Sequence, residues 1–225
     1  MSTWLWWSSG KDSAWALQRL REEGVEVTAL VTTVNRRFHR VAMHGVRETL
    51  LEAQAEAAGL PLRRVPIPHP CSNAEYEGAV GLLLHQAREA GVTRMAFGDL
   101  FLEDIRAYRE ALLEGTGIEP LFPLWGRDTA MLAREMQAGG LRAVVTCVDP
   151  RALPADRAGR AWDADFLCAL PEGVDPCGEN GEFHTFAWAS PVFSAPLDVS
   201  PGPVVEREGF VFADLHPGRG LAPSP

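Results

Sequence analysis

The passage from Thr3 to Trp15 leaves this chain the fewest options, because an unbroken apolar run, Thr3 to Trp7, meets three small residues and then a helical pattern. An apolar run without polar alternation is the mark of a central parallel strand buried on both faces. Ser8-Ser9-Gly10 is too short for anything but a tight turn, and Lys11 to Glu23 then carries Ala14, Leu17 and Leu20 at helical spacing with no proline. Strand, turn and helix start in succession leave several backbone N–H groups unpaired and aimed at one point, where the helix dipole favours negative charge. The reading is a phosphate cradle. Gly10 allows a close backbone approach or a positive φ, Ser8, Ser9 and Ser13 offer hydroxyls, and Lys11 offers a mobile ammonium. Asp12 would repel a phosphate unless a cation lies between them, which assigns it to magnesium, directly or through water. Of 21 basic residues 20 are arginine, and Lys11 is the one lysine, as expected where a compact point charge is wanted rather than a planar fork.

Downstream, strand and helix alternate. Strands are expected at Val25 to Thr32, Leu62 to Ile67, Thr93 to Phe97, Ile118 to Leu124 and Ala143 to Cys147. Helices are expected from Met43-His44-Gly45 to Ala58, from Asn73 to Ala90, from about Leu102, and from Arg127 to Gln137. Unbroken alternation implies an α/β fold, a parallel sheet with helices on both faces. In such sheets ligands lie beyond the carboxyl ends of the strands, so Thr32 and Thr33 fall near the cradle and within reach of an adenine, with His44 at the mouth. Beyond Pro150 arginine, alanine and proline dominate and the alternation is lost, which divides the chain into residues 1–150 and a smaller part, 151–225. Arg160 to Leu170 reads as a short helix. Pro191 to Val199, Val204 to Arg207 and Phe210 to Leu215 read as antiparallel strands, and Leu221 to Pro225 as a loose tail.

Two further clusters carry chemistry. Gly98-Asp99 ends a strand where open α/β sheets place their active-site residues, and the following helix aligns Arg106 with Arg109 and Glu110, an arrangement that either holds an anion or forms ion pairs on a solvated face. Val174 to Phe186 packs three carboxylates, an amide, a thiol and a histidine into one glycine-containing loop anchored by Phe183 and Phe186. A net charge of -9 and a sequence pI near 5.2 argue against a general nucleic-acid or membrane-surface binder. No stretch has the roughly 18 apolar residues of a membrane span and no signal-peptide pattern opens the chain, so the expected location is the cytosol. Cys71, Cys147, Cys168 and Cys177 are too widely spaced for a zinc site or a disulfide framework, and most are expected to be core thiols.

A common P-loop needs a glycine where Leu5 stands. Ser8-Ser-Gly-Lys-Asp-Ser13 instead resembles the PP-loop of the N-type ATP pyrophosphatases, which split ATP into AMP and pyrophosphate, with Ser9 replacing the first glycine. Together with Gly98 to Glu110, Cys177 to Thr185, Met43-His44-Gly45 and Pro123-Leu124-Trp125, it resembles the diphthine-ammonia ligase family from Trp4 to about Phe193. The resemblance implies a five-stranded parallel nucleotide-binding domain followed by a smaller α+β substrate domain. It also implies ATP and magnesium at Ser8, Ser9, Gly10, Lys11, Asp12 and Ser13, and a substrate side lined by Asp99, Arg106, Glu110, Glu179 and Glu182. Those ligases typically read Glu-Gly-Gly-Glu-Tyr-Glu-Thr where this chain has Glu179-Asn-Gly-Glu-Phe-His-Thr185, a form similar to a bacterial sister branch linked to corrinoid salvage. The expected reaction is adenylation of a small-molecule or protein carboxylate, then amidation by ammonia. Glu179, Glu182 or His184 serves as base, His184 being the better one near pH 7 unless burial raises a glutamate. A non-catalytic nucleotide sensor and a tRNA-thiolating enzyme are the rival readings, and a homodimer is among the assemblies the sequence allows.

Overall fold

The computed structural model describes residues 1–218. Its first part is built from β1 (Ser2–Trp6), α1 (Lys11–Glu22), β2 (Val27–Asn35), β3 (Arg40–Val41), α2 (Glu48–Ala58), β4 (Leu62–Ile67), α3 (Asn73–Glu89), β5 (Val92–Ala96), α4 (Glu103–Leu113), β6 (Glu119–Leu121) and α5 (Thr129–Ala138). Five of these strands run parallel in the order β4-β2-β1-β5-β6, with two-residue β3 folded back antiparallel on β2. This is the expected α/β sheet.

The apolar run of β1 is explained by its two faces. Leu5 and Trp7 enter a core shared with α1, α2 and α5, whereas Trp4 enters a second core with Val80, Leu83 and Leu84 of α3. Both sides are dry, so alternation has nothing to report. The chain order also matters. From β1 the sheet grows through β2 to β4 on one side, then returns to build β5 and β6 on the other. The order therefore reverses beside β1, and the loops after β1 and β5 face each other across the crevice where such sheets bind ligands.

The remaining elements are β7 (Arg142–Val148), a 3-10 turn at Ala155–Arg157, α6 (Ala164–Cys168), β8 (Phe183–Ala189), β9 (Val199–Arg207) and β10 (Phe210–Pro217). They make a second, antiparallel sheet in the order β8-β7-β10-β9. Although β7 was expected among the strands of the first 150 residues, its partners are β8 and β10, so the sheets change over between β6 and β7. Phe183, Phe186, Val145 and Val211 sit in the same core as Leu5, Trp7 and Leu17, so the antiparallel sheet packs directly against the first.

Three local expectations are corrected. The second helix starts at Glu48 rather than Met43, because Met43 and Gly45 take φ of 63° and 66° in a turn that closes back on Val41. Pro191 to Asp198 forms no strand; its chain folds back, with Leu197 N–H donating to the Trp188 carbonyl, and Pro191 and Pro196 lack N–H groups for a ladder. The loop read as running to Phe186 ends earlier, since β8 begins at Phe183. The tail at Leu221 to Pro225 lies outside the described residues. No helix among the described residues is long and apolar enough to cross a membrane.

Candidate active site

The loop after β1 is held by the antiparallel sheet and by one buried amide. Ser9 has φ of 70°, a left-handed conformation unusual for a serine, and its carbonyl accepts hydrogen bonds from Ala187 N–H (2.9 Å) and Gln54 Nε2 (2.9 Å). Gln54 also donates to the Ala187 carbonyl (2.7 Å) and accepts from Trp7 Nε1 (2.8 Å). Sequence reasoning missed Gln54, although a signal was present: a polar residue standing within the apolar stripe Leu50, Leu51, Ala55, Ala58 of α2. The positive φ falls on Ser9 and not on Gly10, whose φ is -85°. Gly10 serves close approach instead: a Cβ there would lie 3.1 Å from His44 Cε1 and 3.2 Å from the Thr185 carbonyl oxygen, so these neighbours would have to give way by a few tenths of an ångström.

Lys11 opens α1 only 2% exposed. Its backbone N–H donates to Thr185 Oγ1 (3.1 Å), and Nζ donates to Asp12 Oδ2 (2.8 Å) and to the Cys177 carbonyl, with the Trp162 and Phe183 rings 5.5 and 5.6 Å away. Burial pulls its pKa down, but Asp12, Cys177 and Glu179 more than offset this, so Lys11 stays charged at neutral pH. Burial pushes the Asp12 carboxyl up, restrained by Lys11, and Asp12 Oδ1 is buried without a hydrogen-bond partner. Ser8 and Ser13 hydroxyls bond each other (3.3 Å), and Ser13 donates to the Gly10 carbonyl (2.9 Å). Thr33 lines the cavity, whereas Thr32 is turned into the sheet, its hydroxyl donating to the Trp7 carbonyl (2.7 Å).

Across the crevice, Gly98 comes so close to the Asp12 backbone that a Cβ would lie 3.2 Å from it. Asp99 lines the cavity with its carboxylate 3.5 Å from Arg109, and burial raises its pKa. Arg106 does not line it. Its guanidinium pairs with Glu110 (2.8 Å) and lies over the Phe122 and Trp125 rings (4.9 and 4.8 Å), while Arg109, one turn on, lies over Trp6 and Phe97 and faces the cavity.

Of the last cluster, Glu179 and His184 line the cavity and Glu182 does not. Glu182 accepts from Asp175 N–H and Asn180 Nδ2 (2.9 Å each), while Asp175 accepts from the N–H groups of Cys177 (3.1 Å) and Glu179 (2.9 Å), so these two carboxylates brace the loop. Glu179 accepts from Leu100 N–H (2.7 Å), and burial, followed by repulsion from Asp12, pushes its pKa up to about 7. His184, its ring 4.6 Å from that of His44, is brought down to about 4 by burial and by Lys11, and burial also holds His44 well below the usual imidazole value. The cavity of about 550 Å³ thus sets a cation, Lys11, at one wall and Asp12, Asp99 and Glu179 around it. Among the described residues no group of three or more His, Cys, Asp or Glu side chains forms a ready metal cage. Cys147 and Cys177 are buried as expected of core thiols, but Cys71 is half-buried and Cys168 exposed.

The raised Glu179 pKa has a stability consequence. A carboxyl at 4.5 in the unfolded chain and about 7 in the fold binds an extra proton when folded, so its favourable contribution is complete below pH 4.5 and lost as pH rises through 7. Glu179→Gln keeps the acceptor for Leu100 and removes the titration. Its stability relative to the parent is expected to improve by up to about 3 kcal/mol between pH 4.5 and 8, read by urea unfolding. A gap that does not change with pH would place Glu179 at an ordinary carboxylate value.

Residues 1–120 match the family described as diphthamide synthase N-terminal domain. A Danio rerio protein named diphthine--ammonia ligase is 28% identical, the match covering 92% of this chain and 90% of that protein. A Homo sapiens protein of the same name is 26% identical over 92% of this chain and 86% of its own length. A solved Methanocaldococcus jannaschii structure, described as a predicted subunit of tRNA methyltransferase, aligns over 65% of this chain and 80% of its own with 18% identity and a TM-score of 0.44.

Proposed function

This chain belongs to the diphthamide synthase N-terminal domain family, and on that premise we propose that it is an ATP-dependent, AMP-forming ligase joining ammonia to a substrate carboxylate. The names of the Danio rerio and Homo sapiens relatives support a ligase. The observation that carries the reading is the cradle: buried, charged Lys11 at the start of α1, at the reversal point of the sheet, with Asp99 and Glu179 facing it.

In this reading Ser8, Ser13 and Lys11, which line the cavity, hold the triphosphate through the two hydroxyls and the ammonium, while Ser9 and Gly10, buried and outside the lining, shape the turn behind them, and the adenine lies toward Thr33. A substrate carboxylate oxygen attacks the α-phosphorus, the bond to the bridging oxygen breaks, and pyrophosphate departs against Lys11 and the loop. Ammonia nitrogen then attacks the acyl carbon and AMP leaves. Glu179, half-ionised near pH 7, takes the proton from ammonium; His184, with a pKa near 4, is the weaker base and serves as a neutral hydrogen-bonding wall. Magnesium fits the residues present. The unpartnered Asp12 Oδ1 is a hard oxygen ligand beside the phosphate site, and magnesium bound to nucleotides takes only one or two carboxylates, so no ready cage is needed. When bound, it would neutralise phosphate charge. The exchange of a carboxylate for His184 bears on which acid is accepted, consistent with a substrate other than that of the typical diphthine ligases.

ATP incubated with the protein, magnesium, ammonium and a small-molecule cell extract is expected to yield AMP and pyrophosphate in an ammonium-dependent manner. ADP as product overturns the reading; ATP bound and left intact makes the acceptor macromolecular or the chain a nucleotide sensor, and the amidation reading is withdrawn until a protein substrate is shown.

A further inference from the structure

A second cavity, of about 470 Å³, opens beside the first between the β2–β3 hairpin, the loop after β4 and the β9–β10 hairpin. The two cavities share Val41, Ala42, Met43 and Ile67 as walls, so they are immediate neighbours. Its volume is within the range of small-molecule sites. Its inner surface is apolar and ringed, with Phe38, Phe210, Phe212 and Pro68.

The charges around this chamber do not cancel residue by residue. Asp214 is taken by Arg40 (2.8 Å) and Arg47 (2.5 Å), and Glu208 is hydrogen-bonded to His69 Nε2 (3.0 Å). Arg207 has no ion-pair partner among the described residues, and its guanidinium lies over the Phe38 ring at 5.1 Å. A stacked, unpaired guanidinium at the edge of an apolar chamber suits a carboxylate or similar anion attached to a ring. Two apolar side chains of this wall face water, Met43 at 63% and Val205 at 40% exposure. Met43 is also held at a φ of 63°, a conformation a β-carbon disfavours, between the two cavities.

We propose that this chamber holds the acceptor of the reaction: a small carboxylic acid with an aromatic or alicyclic body and a second anionic group. The body packs against Phe38, Phe210 and Phe212, the second anion meets Arg207, and the reacting carboxylate passes the Met43 wall toward the cradle. The identification as acceptor rests on the ligase reading. The chamber's preference for ring-bearing anions stands independently and is tested first.

The probe is 8-anilinonaphthalene-1-sulfonate, an aromatic anion whose fluorescence rises on apolar burial. It is expected to bind the folded protein without competition from a non-hydrolysable ATP analogue. Cys71→Trp, which fills the chamber from a half-buried loop position, is expected to weaken binding about tenfold, and Arg207→Gln, on the exposed rim, about three- to tenfold. Aromatic dicarboxylates are expected to displace the dye better than monocarboxylates of the same ring. Binding unchanged in both variants, or dye displaced by the ATP analogue, overturns the proposal. The displacing acids are then tested for ammonium-dependent AMP formation. AMP with those acids, reduced in Arg207→Gln, supports the assignment as acceptor site. AMP formation that ignores Arg207→Gln and Cys71→Trp removes that assignment while the ligase reading stands. Specific displacement with no AMP from any of those acids removes the assignment as acceptor site and leaves an anion-binding chamber, the ligase reading being decided by the extract experiment above.

Discussion

Lys11→Met is expected to lower AMP formation by about 100- to 1,000-fold, the usual cost of removing one preorganised charge from the site where negative charge develops. The side chain is buried, so its field is not diluted by water, and its ammonium lies beside a carboxylate whose second oxygen is unpartnered. Methionine preserves the stem packed toward Trp162 and Phe183 but leaves Asp12 Oδ2 and the Cys177 carbonyl without their donor. Asp12, already pushed up by burial, then rises further and binds a cation less well near neutral pH. Lys11→Arg is not expected to restore activity, because a planar fork does not fit a slot shaped around an ammonium. AMP release and binding of a fluorescent ATP analogue separate the two effects: binding falls modestly, turnover collapses. Retention of a third of the turnover would place the chemistry elsewhere.

Gln54→Leu is expected to cost about 3 kcal/mol of stability, as a similar volume is kept while Trp7 Nε1 and the Ala187 carbonyl lose their partners in a dry core. The Ser9 carbonyl keeps its bond from Ala187 N–H but loses the second one, so the left-handed turn at Ser9 is less firmly held. Nucleotide affinity should therefore fall about tenfold although Gln54 does not line the cavity. Equilibrium urea unfolding reads the first effect and analogue titration the second. A stability change under about 1 kcal/mol would mean that the introduced side chain repacks without stranding those groups.

Much of the parallel sheet was legible because its signals are local. A run without polar alternation from Trp4 onward implied two covered faces for β1, and Leu62 to Ile67 was placed with the bounds β4 has. The turn from β1 into α1 was legible for the same reason, as Ser8 to Ser13 are contiguous. The antiparallel sheet was less so: β7 looks like any other buried strand, and only its partners β8 and β10 assign it. Helical spacing put Arg106 and Arg109 on one turn, and spacing cannot say which of the two meets a neighbour. Phe122 and Trp125 take Arg106, leaving Arg109 to Asp99.

By itself, then, the sequence determined the α/β class, the tight turn between β1 and α1 and the residue make-up of the two further clusters, since periodicity, turn chemistry and contiguous residue types are properties of neighbouring positions. Only the tertiary structure decided which members of those clusters act on the cavity. Glu182 braces its loop, Glu179 reaches the crevice and is pushed to a pKa of about 7, and Gln54 joins β1's end to β8. The reason is physical: a side chain's pKa, pairing and exposure depend on the desolvation and charges imposed by segments far away in the chain, and no window of sequence contains them.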